Sequence, residues 1–133
     1  DERLANGFYV EPTVVEASPA DRVCQEEVFG PFVTVVRFST DEEALAIANS
    51  TEYGLGSGLW TQNLARAHKM AEAIHAGMCW VNCYKRVSPG SPFGGVGQSG
   101  YGREMGFEAI HDYTEARSVW VNVDAKIPAH FKR

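Results

Sequence analysis

The stretch from Gly56 to Cys83 restricts the fold more than any other part of the chain. A short apolar run at residues 56–60 (GSGLW) leads to Asn63, and Leu64, Ala67, Met70, Ala71 and Ile74 then recur at helical spacing until Gly77. Residues 78–83 (MCWVNC) follow as a second apolar run of strand length. Apolar positions at i, i+3, i+4 and i+7 mark one face of a helix, Asn is a favoured N-cap and Gly a favoured stop. The pattern predicts strand, helix of about a dozen residues, strand. Two strands joined by such a crossover lie parallel, with a right-handed connection.

The neighbouring segments follow the same grammar. Residues 32–38 (FVTVVRF) form a continuous apolar run, the mark of a strand buried on both faces. Thr40 and Glu43 make a capping box that opens a helix through about Ser50, with Leu45, Ile47 and Ala48 as its apolar positions. Residues 8–15 (FYVEPTVV) are β-branched and aromatic but hold Pro12, so they predict an edge or irregular strand before a polar turn at 17–21. Periodicity is lost from 84 to 102, a helix is expected over 103–113, and 117–123 (RSVWVNV) reads as a last strand. No internal repeat occurs. The expected fold class is α/β, a mostly parallel sheet with βαβ units.

Composition narrows the function. With 133 residues the chain has the size of one ordinary domain, and 44% hydrophobic with 22% charged residues is globular usage. A net charge of −5 argues against nucleic acid or an anionic membrane as partner. The mildly basic end, 126–133, reads as a solvated tail, no apolar run approaches the ~18 residues of a bilayer span, and no secretory leader opens the chain. Cys24, Cys79 and Cys83 make an odd count that suits a reducing compartment. No metal site is expected. In a strand, Cys79 and Cys83 stand about 13 Å apart, and His68 and His75 lie two turns apart on a helix.

Residues 95–100 (GVGQSG) spell G-x-G-x-x-G, the letters of a dinucleotide-binding turn. Such a turn works only when a strand ends almost at the first glycine and a helix points its N-terminal amides at the pyrophosphate. Here the preceding strand ends near Cys83, and an irregular stretch with Pro89 and Pro92 intervenes. The expectation is instead a tight loop in which backbone approaches backbone.

Several segments taken in order carry a family resemblance. Glu26-Glu27-Val28-Phe29-Gly30-Pro31 comes first, then Tyr53-Gly54-Leu55, then the strand with Trp80-Val81-Asn82. Ser91-Pro92-Phe93-Gly94-Gly95 and Ser99-Gly100-Tyr101-Gly102-Arg103-Glu104 follow. From about Gly7 to Val123 the chain resembles the C-terminal part of an NAD(P)-dependent aldehyde dehydrogenase. The resemblance implies the end of the catalytic domain over 1–112 and an oligomerisation strand with tail over 113–133.

In that family a cysteine thiolate attacks the aldehyde, hydride passes to the nicotinamide, and the thioester is hydrolysed. The resemblance implies NAD or NADP as cofactor, an aldehyde as substrate and the remainder of the dehydrogenase chain as partner. It further implies a cytoplasmic homo-oligomer, dimer or tetramer, joined through 117–123. Glu27 is expected to accept hydrogen bonds from the nicotinamide-ribose hydroxyls, a task two carboxylate oxygens suit, and Phe29 to pack near the nicotinamide. Read without the family, Glu26 and Glu27 are solvated carboxylates. Phe93 corresponds to an aromatic of the substrate tunnel, and Val87 to a nearby position where some relatives carry a larger aromatic. The glycine hexapeptide becomes part of the wall beside the substrate channel. Asn82 and Tyr84 are expected to fix the loop at the strand end. No catalytic residue is expected in this chain: none of its cysteines has the nucleophile's glycine-glutamine-x-cysteine context, and the family's general-base glutamate and oxyanion asparagine are missing. The alternative is a non-catalytic remnant that survives as a structural oligomer.

Overall fold

A computed structural model describes residues 4–123. Two parallel strand pairs form its framework. Strand β1 (Thr13–Glu16) runs beside β2 (Phe32–Val35), with Thr13 opposite Phe32, and the crossover carries a single helical turn, α1 (Arg22–Gln25). Strand β4 (Gly56–Leu59) runs beside β5 (Met78–Val81), with Gly56 opposite Met78, and helix α3 (Leu64–Ala73) crosses between them. This is the βαβ unit that the sequence predicts. Between the pairs lie helix α2 (Asp41–Ala48) and the two-residue strand β3 (Tyr53–Gly54). A third pair joins β3 antiparallel to β6 (Val96–Gly97). The strands thus form three separate two-stranded sheets, because no strand among the described residues bridges β2 to β4.

Both long helices begin where their caps predict. Thr40 Oγ1 accepts from the Glu43 amide, and Glu43 Oε2 accepts from the amide of Ser39, one residue before the cap. Asn63 Oδ1 accepts from the Arg66 amide. Helix α3 stops at Ala73 and not near Gly77, because Asn49 of the α2 C-terminus intervenes. The Asn49 Nδ2 donates to the Ala73 carbonyl at 2.9 Å, while its Oδ1 accepts from the His75 amide at 2.8 Å. Gly77 serves the start of β5. A Cβ there would stand 1.9 Å from the Gly94 carbonyl oxygen, so only glycine admits that backbone.

Three other expectations change. Val33 and Val35 leave one face of β2 uncovered, at 54% and 44% exposure, where burial on both faces was expected. The helix expected over 103–113 is a single 3-10 segment, Phe107–Asp112. Residues 117–122, expected as part of a last strand, form no ladder among the described residues. Among the described residues the buried apolar side chains are Ala67 and Met70, both on α3, which packs on β5. The basic tail expected at 126–133 lies outside the described residues.

Candidate functional site

The loop from Pro89 to Asp112 ties itself together through backbone groups. Phe93 and Glu104 exchange both of their amide–carbonyl hydrogen bonds, at 2.6 and 2.7 Å, in an isolated antiparallel bridge. Arg103 Nη1 donates to the carbonyls of Gly95 and Gly102, each at 2.7 Å, while its own amide donates to Asp112 Oδ2. The Gly106 amide donates to the Pro89 carbonyl. The two glycine-rich motifs of the sequence therefore form one clamp, with Phe93 held at its centre.

Inside the clamp, the hexapeptide uses its own amides. Ser99 N–H donates to Val96 O, Gly100 N–H to Gly97 O, and Gln98 N–H to Glu52 O. A phosphate cradle needs such amides free and aimed outward. Gly97 has φ +59°, and a Cβ there would lie 2.4 Å from the Glu52 carbonyl oxygen. This is the tight backbone approach expected from the sequence, with the hexapeptide's second residue opening a strand and no α-helix following.

The loop after β5 is anchored in three ways. Asn82, at φ 54°, makes two hydrogen bonds with the Thr61 backbone, its Oδ1 accepting from the amide and its Nδ2 donating to the carbonyl, both at 2.9 Å. Trp80 Nε1 donates to the Arg86 carbonyl at 2.7 Å, and the Trp80 ring meets Tyr84 edge-on at 5.2 Å. Asn82 and Tyr84 thus hold the strand end, as their positions suggested.

These anchors shape two kinds of cavity. Val87 and Phe93, the two expected substrate-channel residues, line one cavity of about 230 Å³ together with Met78, Cys79, Trp80 and Arg86. Phe93 also faces a second space of about 480 Å³ bounded by Gly95, Ser99, Tyr101 and Arg103. Glu27 stands apart from both. It lines an open cleft of about 700 Å³ with Cys24, Glu26, Tyr53, Ser57 and His75. Gln98 and Ser99 form another wall of that cleft, and Ser99 Oγ accepts from the Gly54 amide at 2.9 Å. Ser99 borders both the Glu27 cleft and a Phe93 space, so the hexapeptide is the partition between them. Phe29 lines none of these three spaces and is 97% exposed. Trp80, Ser99 and Arg103 stand in the motifs without a role assigned to them there, and Arg86 stands outside the motifs.

A match to the aldehyde dehydrogenase family covers residues 1–119. The chain is 92% identical to PnpE from Pseudomonas sp. WBC-3, with a TM-score of 0.87, over 100% of this chain and 27% of that one. PnpE has also been solved in complex with nicotinamide adenine dinucleotide. Betaine aldehyde dehydrogenase from Staphylococcus aureus, in complex with NAD+, aligns at a TM-score of 0.88 and 33% identity over 100% of this chain and 27% of its own. Acetaldehyde dehydrogenase from Pseudomonas aeruginosa is 46% identical over 121 residues, 91% of this chain and 24% of its own length. The chain spans about a quarter of the length of these relatives.

Proposed function

The chain belongs to the aldehyde dehydrogenase family, and from that membership we propose that it forms the C-terminal part of an enzyme oxidising an aldehyde to a carboxylic acid with NAD or NADP. The observation that carries this proposal is the pairing of Val87 with Phe93 in one cavity, with Phe93 also facing a second space that the hexapeptide divides from the Glu27 cleft. A dehydrogenase needs two adjoining compartments, one for the aldehyde and one for the nicotinamide, so that hydride crosses a short gap.

The Glu27 cleft fits a cofactor fragment. Its volume, about 700 Å³, lies within the range of small-molecule sites. Among the described residues the Glu27 carboxylate has neither an ion pair nor a hydrogen bond, so both oxygens are available to vicinal hydroxyls. Bound there, NAD or NADP supplies the hydride acceptor. Glu27 fixes the ribose and therefore the ring it carries. Phe29, exposed two residues on, offers a flat apolar surface to the nicotinamide end. Phe93 and Val87 exclude water from the aldehyde and shape its channel. The nucleophile, the general base and the oxyanion donor come from the remainder of the dehydrogenase chain.

Residues 1–112 complete the catalytic domain, and 113–133 form the oligomerisation segment. Within it, 117–123 adds as a strand to a neighbouring subunit in a dimer or tetramer. The exposed backbone and the 93% exposed Trp120 support that role. No helix among the described residues is long and apolar enough to cross a membrane. Three unpaired thiols suit the cytoplasm.

The test uses the complete protein that contains this chain. Aldehyde-dependent formation of reduced nicotinamide is expected, and Glu27→Gln should lower kcat by about tenfold to a hundredfold, as a misplaced reacting group does. KM for the aldehyde should change little. Unchanged turnover removes Glu27 from the cofactor site, and no turnover by the parent protein removes the enzymatic proposal.

A further inference from the structure

Glu27 stands on a segment that does little to hold itself in place. Among the described residues, Glu27, Val28 and Phe29 make no hydrogen bond and no ion pair. The segment is fixed only at its two ends. After it, the Thr13 amide donates to the Pro31 carbonyl at 2.9 Å, and the pairing of β1 with β2 begins. Before it comes α1, a helix of four residues, far too short to persist on its own backbone bonds. Whatever steadies α1 therefore steadies one end of the segment that carries Glu27.

Three side chains tie α1 to the turn before it. Asp21 Oδ2 accepts from the Ser18 amide at 2.7 Å, and Arg22 Nε donates to Glu26 Oε1 at 2.6 Å. Both of these bonds are exposed, so water competes for their groups and each adds little. The third is different. Gln25 Nε2 donates to the Pro19 carbonyl at 2.7 Å in a partly buried bond that spans six residues and closes the loop 19–25. Losing it would leave a carbonyl with restricted access to water. Gln25 also lines the cleft that Glu27 lines. The Arg22 pair has a separate consequence: it occupies Glu26, so of the two adjacent carboxylates Glu27 is the one without a protein partner.

We propose that Gln25 is a positioning residue for the cofactor, which sets where the Glu27 carboxylate stands by closing the turn on the Pro19 carbonyl. This rests on the function proposed above and deepens it. The property that matters at position 25 is a hydrogen-bond donor at the end of a long side chain. An acceptor there would face a carbonyl oxygen.

The experiment is a double-mutant cycle in the complete dehydrogenase containing this chain. NADH and NADPH are titrated separately, with nicotinamide fluorescence as the readout, and the tighter of the two is used for the variants. Gln25→Met should raise the dissociation constant by about threefold to tenfold, the range for one neutral hydrogen bond. Gln25→Glu should weaken binding at least as much, because a carboxylate cannot donate, and Gln25→Lys should restore most of the affinity, because an ammonium can. Glu27→Gln should also weaken binding, and adding Gln25→Met to it should cause no further loss. The same loss from Gln25→Met with Glu27 present or replaced would mean that Gln25 acts apart from Glu27, and this overturns the proposal. No loss from Gln25→Met beside a clear loss from Glu27→Gln overturns it too, while the cofactor reading of the cleft stands. A wild type that binds neither nucleotide, or a Glu27→Gln variant that binds as the wild type does, removes that reading and this inference together. If Gln25→Met does not fold, the contrast of Gln25→Glu with Gln25→Lys tests the same dependence on a donor.

Discussion

Asn82 shows how one side chain can do what a longer strand would do. β5 ends at Val81, yet Asn82 continues its pairing by offering Thr61 a carbonyl oxygen and an amide of its own. Asparagine is among the few residues that tolerate the left-handed backbone required there. Replacing it with alanine loses both hydrogen bonds and leaves a Cβ at positive φ, and the site is exposed enough to moderate the loss. Asn82→Ala should therefore destabilise the complete protein by about 1–3 kcal/mol, measured by urea unfolding. Asn82→Gly should cost less, because it keeps the backbone at ease while losing the same bonds. Equal costs for both variants would show that backbone strain plays no part. At this scale the motifs named Val87 and Phe93, which share a cavity, and also Phe29, which lines none. The Arg103 clamp was not legible, because its acceptors are the Gly95 and Gly102 carbonyls, groups that every residue has and no letter displays.

Elements were legible where order is local. Thr40 and Asn63 each cap the helix that the sequence begins there, since a cap and its amide lie within one turn. The end of α3 was not legible, because Asn49 caps it from another helix. Nor was the β3–β6 pair, two residues joined across distant sequence with no strand-length pattern to announce it. Helices α2 and α3 lie side by side, linked by Asp41 with Arg66 and by Glu42 with Lys69 at 3.2 Å. The Glu42 carboxyl is held below its ordinary value of 4.5, first by a backbone amide at the helix start and then by the Lys69 ammonium. A lowered folded value means that this carboxylate adds stability above pH 4.5 and that the contribution fades as pH falls through the lowered value. Glu42→Gln should thus lower the Tm of the complete protein slightly at neutral pH, with the gap to wild type closing on acidification. A gap that persists at acid pH would assign the effect to packing. The pair is exposed, so the gap should also shrink in high salt.

For the whole molecule, the deciding quantity is surface. The accessible area is 11565 Å² for a mass of 14.6 kDa, whereas a compact monomer of that mass exposes about 6,900 Å². The excess is apolar in character: Phe8, Phe29, Tyr101, Trp120 and Val123 are each more than nine-tenths exposed. Sequence composition did not reveal this, because 44% hydrophobic residues is ordinary for a domain that buries them. The pattern of 32–38 did carry a trace of it, since a run apolar on both faces asks for two covers and β2 leaves Val33 and Val35 open. Strands that pair only two by two, with helices over part of their faces, lack the layers that a stable α/β domain needs. The isolated 133-residue chain should therefore bind a hydrophobic dye, associate with itself and show no cooperative calorimetric transition. Supplying the remainder of the dehydrogenase chain should abolish the dye binding and restore a sharp transition. A monomeric isolated chain that unfolds cooperatively would mean that its exposed faces close upon themselves, and the Glu27 cleft and the Phe93 cavity would then have to be sought in that closed form.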